Sequence, residues 1–489
     1  MLFNSYEFIF LFLPISFFIY FYLNKKRLTL LSKVFLLLSS LFFYSWWNII
    51  YLPLILSSIL FNFLIGSSLC KKNRFKQLVR KQLLAIGIIG NIALLGYFKY
   101  SDFFIENFNF VFNLNKELLN LALPLAISFF TFQQIAYLVD SFRYEIKEYS
   151  LLNYGIFVSF FPQLIAGPIV HHKEVMPQFS NIRNKVINYQ NIVLGIFIFS
   201  IGLFKKVIIA DTFAKWANIG FDTSITLTFF EAWATAYAYA FQLYFDFSAY
   251  SDMAIGLALL FNIKLPINFN SPYKATSITQ FWNRWHITLS SFINKYIFKP
   301  ILNLLGTYSF SKALLAIFLS MLISGLWHGA SWLFIIFGFI NAIALVINQI
   351  WKKKFKIKIH KYIGWVLTFN TFVISIIFFR ANEWADAIKV IKGMFGFNGI
   401  ILPSFLSSSF YFLKDYNITF GYLFENINAD KYIILWLLSA FIVVLFFNNS
   451  MQLRDNFKLN YKTLIISVIL FSCSILSLNK FSEFIYFNF

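Results

Sequence analysis

The chain has 489 residues, of which 59% are apolar and only 12% are charged, whereas about a quarter of the residues of a soluble protein are charged. Its 68 Phe and 12 Trp cannot all be buried in one core behind so little polar surface. This composition excludes a water-soluble globule, and recurrent runs of about 20 apolar residues indicate a multi-pass membrane protein.

The net charge of +21 is concentrated beside apolar runs. Three basic clusters, Lys25 to Arg27, Lys71 to Lys81 and Lys352 to Lys361, each border such a run. Positive charge in this position marks cytoplasmic loops and contacts anionic lipid headgroups. The distribution favours the lipid bilayer, and not nucleic acid, as the partner of these cations.

Thirteen apolar runs in chain order predict membrane helices. They are 6–23, 28–47, 49–69, 82–98, 118–139, 151–170, 192–210, 229–262, 312–326, 331–350, 362–379, 432–448 and 463–479. Allowing for tilt and kinks, the pattern predicts an all-α polytopic protein with roughly eleven to thirteen membrane helices. With the first two basic clusters inside, the N-terminus lies outside.

The middle of the chain departs from simple spans. Residues 167–173 interrupt one run with Gly, Pro, His and Lys, and Lys205 and Lys206 lie inside another. Backbone that breaks at membrane depth must be buried in protein or line a wet cavity, so we expect re-entrant segments here. Residues 381–431 predict an extramembrane loop with an amphipathic helix near Glu383 to Met394. We find no repeat, so we treat residues 1–489 as one domain.

The segment FQLYFDFSAYSD, residues 241–252, places four polar side chains in an apolar run. On a helix, Gln242 pairs with Asp246 at i, i+4, and Ser248 pairs with Asp252. Acidic residues inside a membrane are costly and often functional. The alternative is that these groups only join helices through hydrogen bonds.

The segment FWNRWHITLSSF, residues 281–292, contains Arg284 and His286 among aromatic residues. Turn residues before it predict a helix start near Ser277. On a continuous helix, Trp282, His286 and Ser290 would share one face, while Arg284 could meet a phosphate or carboxylate. A histidine in such a position is more often structural than catalytic.

The segment MLISGLWHGASWLF, residues 321–334, places His328 in an apolar sequence beside two glycines. On one helix, Ser324, His328 and Trp332 would share a face. Imidazole is the natural proton acceptor near neutral pH. The sequence has no nucleophile elbow and no H-E-x-x-H motif, so direct transfer with a histidine base fits better than a covalent enzyme.

Metal chemistry finds little support in the sequence. His171 and His172 are adjacent and would point about 100° apart on a helix, and Cys70 and Cys473 have no metal-type spacing. We predict no metal site and no disulfide framework.

Four segments carry a family resemblance: AGPIVHHKEVMPQF, QLYFDFSAYSDMAIG, NFNSPYKATSITQFWNRWHITLS and SGLWHGASW, in this order between about residues 165 and 332. Together they resemble the membrane-bound O-acyltransferase family, in its bacterial branch that includes alginate O-acetyltransferase and the peptidoglycan and teichoic-acid acyltransferases. The resemblance implies a multi-pass enzyme of the bacterial inner membrane, with its helices around a central tunnel that a thioester donor enters from the cytoplasm.

The resemblance also implies roles for individual residues. His328 would be the catalytic residue and His286 a supporting one. Asn283 stands where many relatives carry arginine, which leaves Arg284 alone as the anion contact. The candidate residues for binding substrate and donor are Trp282, Asn283, Arg284, Gln242, Asp246, Ser248, Asp252 and Trp327. We expect no bound cofactor, with acetyl-CoA or another acyl thioester as donor substrate. The resemblance further implies an extracytoplasmic partner protein that passes the acyl group to its acceptor.

Three functions follow as hypotheses. The first is O-acetyl transfer, with acetyl-CoA as the ultimate donor, to an extracytoplasmic polysaccharide or peptidoglycan hydroxyl. The second keeps the chemistry but transfers D-alanine from a carrier protein to teichoic acid. The third is a transporter or flippase that uses the intramembrane acids for coupling. The absence of an inverted repeat and the gathering of polar residues within 242–328 argue against the third.

Overall fold

The computed structural model describes residues 1–71, 75–146, 150–416, 418–478, 484 and 485. Lys72 and Arg74 of the second basic cluster and residue 479 of the last predicted span lie outside the described residues. Within the described part the chain is predominantly helical, with almost no strands, which confirms the predicted fold class.

The helices fall into an N-terminal and a C-terminal series. The first series is α1 (Glu7–Lys25), α2 (Thr29–Ser45), α3 (Ile49–Cys70), α4 (Gln77–Phe112), α5 (Ile127–Phe142), α6 (Leu151–Ser159), α7 (Phe161–Leu164), α8 (His172–Ser180) and α9 (Tyr189–Thr223). The second series is α10 (Phe229–Leu260), α11 (Ile278–Trp282), α12 (Ile287–Ile293), α13 (Lys299–Leu304), α14 (Phe310–His328), α15 (Trp332–Phe355), α16 (Lys361–Arg380), α17 (Trp384–Met394), α18 (Tyr432–Phe446), α19 (Ser450–Asp455) and α20 (Tyr461–Leu476).

Apolar length is the property that makes most of these helices membrane spans. Among the described residues, seven helices are long and apolar enough to cross a membrane, and α2, α18 and α20 are shorter apolar helices. Helix α10 has 32 residues and is therefore about 48 Å long. The multi-pass prediction is confirmed.

Several predicted boundaries are wrong. Helix α4 continues to Phe112, well beyond the predicted end at 98, and residues 114–124 have no regular structure, so α5 begins only at Ile127. Apolar composition alone could not reveal that the start of the predicted run is not helical, because residues 118–124, LLNLALP, are mostly apolar. The run 151–170 forms two short helices and then non-helical backbone from 165 to 171, which confirms the expected interruption.

Lys205 and Lys206 do not interrupt their helix. The segment Lys205–Ala210 of α9 is π-helical, so the chain continues through it without leaving the helix. A π-turn rotates the side chains that follow relative to an α-helix and is frequent at functional sites. The expected re-entrant break at these two lysines is therefore wrong.

The loop 381–431 contains the predicted helix, α17, but this helix packs on the protein itself. A Cβ added at Gly393 would lie 2.6 Å from the carbonyl oxygen of Leu227, and Trp233 Nε1 donates to the carbonyl of Met394 at 3.1 Å. The loop also contains a small parallel sheet of β1 (Ile400–Pro403) and β2 (Ile418–Gly421), which the sequence analysis did not predict.

Contacts divide the chain into two compact units. Unit 1 comprises Met1–Phe204, Ala249–Asn268 and Arg454–Phe489, and unit 2 comprises Lys205–Ser248 and Phe269–Leu453. The expectation of a single domain stays a prediction. Unit 2 contains both histidine motifs singled out in the sequence, and the site is described within it.

Candidate active site

Helix α10 carries the four polar residues of the first motif. It is continuous from Phe229 to Leu260, which confirms the i, i+4 spacings predicted for them. Asp246, Ser248 and Asp252 are buried, with exposed fractions of 1%, 1% and 5%, and Gln242 is partly buried. Asp252 belongs to unit 1, whereas the other three belong to unit 2.

The carboxylate of Asp246 forms a buried ion pair that the sequence analysis missed. Lys206 Nζ lies 2.6 Å from Asp246 Oδ1 and 3.0 Å from Asp211 Oδ1, and its side chain is 2% exposed. A buried charge is stable only when a partner compensates its lost hydration. Asp246 therefore joins α9 to α10, and its predicted role in binding substrate stays a prediction.

The second motif is a helix, a turn and a second helix. Ser277 caps α11 by accepting a hydrogen bond from Gln280 N at 3.3 Å, which confirms the predicted helix start. Helix α11 ends at Trp282, and His286 adopts a positive φ of 44° before α12 begins. The predicted common helical face of Trp282, His286 and Ser290 is therefore wrong.

Local hydrogen bonds hold this turn. Asn270 N donates to the carbonyl of Arg284 at 2.9 Å, and Ser290 N donates to that of His286 at 3.0 Å. The left-handed conformation of a non-glycine residue costs about 1 to 2 kcal/mol. Such a conformation persists only where its surroundings enforce it and is concentrated at functional sites.

His286 is enclosed by aromatic side chains. Its exposed fraction is 1%, and its ring centroid lies 4.7 Å from that of Phe247 in a T-shaped arrangement. Burial lowers the pKa of His286 to about 3, because the charged form would lose its hydration. At neutral pH the ring is therefore uncharged.

Arg284 lies close enough to Lys274 for their charges to interact. Burial, and after it the charge of Arg284, lower the pKa of Lys274. Lys274 Nζ also donates to the carbonyl of Phe447 at 2.8 Å. Arg284 is partly buried, whereas Asn283 is exposed. Two neighbouring cations form a suitable contact for an anionic group of a ligand.

His328 is the last residue of α14 and is 4% exposed. Three aromatic rings surround it: the centroid of Trp327 lies at 4.8 Å, that of Phe379 at 5.1 Å and that of Phe337 at 5.7 Å. Ser324 precedes it by one turn on the same helix, as predicted. Trp332, however, begins α15, so its predicted place on this face is wrong.

The hairpin of α14 and α15 depends on close backbone contact. A Cβ at Gly325 would lie 2.5 Å from the carbonyl oxygen of Phe334 and 2.8 Å from Gly338 Cα. Only glycine permits this approach. The hairpin thus fixes the end of α14, and with it His328, against the first turns of α15.

Phe337 connects the two histidine motifs. Its ring centroid lies 6.5 Å from that of Trp282 and 5.7 Å from that of His328. The structure therefore brings Trp282, of the second motif, and His328, of the third, to the same aromatic side chain. Trp327 also packs on His328, with a centroid distance of 4.8 Å.

Helix α16 also contacts both motifs, and the sequence analysis did not single it out. Phe372 packs on Phe281 with a centroid distance of 4.3 Å and on Trp285 at 5.1 Å, while Phe379 packs on His328. The two phenylalanines are seven residues apart and so lie on one face. Because the chain has 68 phenylalanines, a pair with this spacing could not have been recognised from the sequence as part of the site.

The adjacent histidines lie in unit 1. His171 Nδ1 is 4.0 Å from Asp140 Oδ2, an acidic neighbour that the sequence analysis did not find. His172 is buried and packs against Tyr137 and Phe157. Among the described residues, no group of three or more potential ligand side chains is placed to hold a metal ion.

Comparison with known proteins gives a consistent assignment. A family model described as the membrane-bound O-acyltransferase family matches residues 2–382. A peptidoglycan O-acetyltransferase of Helicobacter pylori is 44% identical, over 100% of this chain and 98% of its own length. A probable alginate O-acetylase of Pseudomonas aeruginosa is 36% identical, over 81% of this chain and 75% of its own.

A more distant relative is named for transfer of the alternative acyl group, D-alanine. A teichoic acid D-alanyltransferase of Streptococcus thermophilus is 28% identical over 55% of this chain and 70% of its own length. These similarities favour an acyltransferase over the transporter hypothesis. The chain belongs to the membrane-bound O-acyltransferase family and is a multi-pass acyltransferase of the bacterial inner membrane.

Proposed function

We propose that this acyltransferase moves an acetyl group from a cytoplasmic acetyl thioester, ultimately acetyl-CoA, across the membrane toward a hydroxyl of peptidoglycan. His328 is the general base of the transfer, and Arg284 contacts the anionic part of the donor. The observation that carries the proposal is where these groups lie along α15 and α16 in unit 2. Trp365, near the start of α16, donates to the carbonyl of Tyr273, next to Lys274. His328 lies beside the beginning of α15 and contacts Phe379, near the end of α16.

The basic cluster Lys352 to Lys361 indicates which ends of α15 and α16 face the cytoplasm. It joins α15 to α16 and belongs in the cytoplasm by the positive-inside rule. The second motif lies near that side, because Thr279 Oγ1 donates to Asn348 at 2.8 Å, close to the end of α15. His328 lies at the far end of α14, beside the beginning of α15. A donor bound at Arg284 from the cytoplasm would thus point its acyl group past Trp282 toward His328.

The reaction needs a base more than a strong electrophile, because a thioester is already activated. An imidazole nitrogen of His328 takes the proton of the acceptor hydroxyl as its oxygen attacks the thioester carbonyl carbon. The C–S bond then breaks, and the leaving thiolate receives the proton from the imidazolium. The products are an acetyl ester and a thiol, and the overall reaction gains or loses no proton.

Similarity supports peptidoglycan as the acceptor. The relative that matches over the full length of both chains acts, by its name, on peptidoglycan, whereas the alginate O-acetylases match over 81% of this chain. An extracytoplasmic partner protein that receives the acetyl group belongs to the proposal, since the family branch implies one. Asp246, Gln242 and Ser248 are then orienting groups around the donor and acceptor.

The test is the ester content of the cell wall. Purified sacculi from cells lacking the gene would be treated with mild base, and the released acetate compared with that from cells carrying the wild-type gene, His328→Ala or His360→Ala. His360 is exposed in the cationic run between α15 and α16 and serves as the matched control. We expect wild type and His360→Ala to restore the esters, and His328→Ala to restore none at equal protein level.

Three outcomes would overturn the proposal or a part of it. Equal acetate with and without the gene would exclude peptidoglycan as the acceptor, and release of D-alanine from the envelope would replace acetyl by aminoacyl transfer. Restoration by His328→Ala would remove this residue from catalysis.

A further inference from the structure

We propose that Trp327, Phe337 and Phe379 form an aromatic cage that stabilises the positive charge of His328 during acyl transfer. The inference rests on the proposed function, because it assumes that His328 takes a proton from the acceptor. It adds a task for three aromatic residues that act through His328.

The three rings approach the imidazole at cation–π distances. Their centroids lie 4.8, 5.7 and 5.1 Å from that of His328, and their planes are inclined to its plane by 66°, 86° and 71°, for Trp327, Phe337 and Phe379 respectively. A cation within about 6 Å of an aromatic centroid is attracted by the ring quadrupole. In steeply inclined pairs, the positive edge of one ring points toward the electron-rich face of the other.

The catalytic step creates the charge that such a cage would stabilise. When His328 accepts the hydroxyl proton, an imidazolium forms at a position that is 4% exposed. Water can solvate this cation only slightly. The aromatic rings around it therefore contribute more to its stabilisation than they would at an exposed position. In serine hydrolases a buried carboxylate stabilises the corresponding imidazolium. Here the three aromatic rings would carry part of that task.

Phe379 is held in the cage from two sides. Its ring lies 5.1 Å from Phe337 and 5.2 Å from Phe334, centroid to centroid. The next residue, Arg380, ends α16 and binds Asp222 and Asn218, the latter at 3.1 Å. The Arg380 guanidinium also lies 5.4 Å from the centroid of Phe221. These contacts keep the end of α16, and therefore Phe379, beside His328.

Fluorinated phenylalanines test the charge effect separately from packing. One, two and three fluorine atoms on the ring at position 379 withdraw π density in steps while changing its size little. In permeabilised cells supplied with labelled acetyl-CoA, we expect the maximal rate of label transfer into sacculi to fall stepwise, by about tenfold across the series. The KM for acetyl-CoA should stay constant, because the cage acts on the charged state of His328.

Phe369 provides the matched control. It lies on the same helix, is 3% exposed against 4% for Phe379, and packs on Trp365 and Tyr273 instead of His328. The same fluorine series at position 369 should leave the maximal rate unchanged. An equal decline at both positions would show a general packing effect and overturn the cage.

A second variant pair uses ordinary residues. Phe379→Leu keeps an apolar side chain but removes the ring, and should lower the maximal rate about tenfold, whereas Phe379→Tyr should retain most of it. A flat fluorine series, in cells where His328→Ala is inactive, would overturn the cage and leave the proposed function standing. Activity in His328→Ala would instead overturn the proposed function.

Discussion

Lys206 Nζ lies 2.6 Å from Asp246 Oδ1, and both side chains are 2% exposed. The two residues are 40 positions apart in sequence and belong to different helices, α9 and α10. Their ion pair, which is extended by Asp211 of α9, joins the two helices within unit 2.

Replacing Lys206 by Met should destabilise the protein strongly. The change leaves the Asp246 carboxylate buried without its cation, which costs about 3 to 5 kcal/mol. The double variant Lys206→Met with Asp246→Asn should recover much of this loss, because neither partner is then charged. The thermal midpoint of the detergent-solubilised protein measures the effect. Lys358→Met, at an exposed position, is the control, and an equal midpoint for Lys206→Met and this control would contradict the account.

Position 325, where α14 closely approaches α15, should not accept a side chain. Gly325→Ala places a Cβ 2.5 Å from the carbonyl oxygen of Phe334, so backbone must move, at a cost of about 1 to 3 kcal/mol. Gly96→Ala is the matched control, since nothing lies within 4 Å of its Cβ position. We expect a lower thermal midpoint and less transfer for the first variant, and neither effect for the second. Normal stability of Gly325→Ala would mean that the hairpin is looser than described.

The Arg380–Asp222 pair should affect catalysis through Phe379. Arg380→Met releases the end of α16, so we expect a lower maximal transfer rate with little change in the KM for acetyl-CoA. Exchanging the charges, with Arg380→Asp and Asp222→Arg, should restore part of the rate through a coupling energy of about 1 kcal/mol. Arg454→Met, which removes a pair with the neighbouring Asp455, is the control. Equal rates for Arg380→Met and wild type would exclude this anchoring role.

His286 should make the folded protein sensitive to acid. Its pKa is lowered to about 3 in the folded state, whereas in the unfolded chain it titrates near 6.5. Between these values the unfolded state binds the additional proton, so the free energy of unfolding falls as the pH falls from about 6.5 toward 3. Above pH 7 the residue should contribute no pH dependence.

Thermal midpoints of wild type and His286→Gln between pH 4 and 8 would measure this effect. The difference between the two proteins should change below pH 6.5 and stay constant above pH 7. A constant difference over the whole range would contradict a buried neutral imidazole.

The sequence predicted the membrane spans and the histidine motifs, but it did not predict the contacts between helices or between motifs. His328 stood out because a lone histidine in an apolar, glycine-flanked run is conspicuous, and the helix start at Ser277 follows from capping chemistry. The turn at His286 did not, because a positive φ in a non-glycine residue is imposed by tertiary contacts such as that of Asn270 with Arg284. The pairing of Lys206 with Asp246 and the contact of Phe379 with His328 arise from helix packing, which the spacing of residues along one helix cannot show.

Transfer of label from acetyl-CoA to sacculi in permeabilised cells tests the central claim most directly. Cells that contain equal amounts of wild-type protein, His328→Ala or His360→Ala would receive acetyl-labelled CoA thioester, and base-labile label in the sacculi would be followed over time. The account predicts label with wild type and His360→Ala, and background label alone with His328→Ala. Label at the wild-type rate in His328→Ala would contradict it.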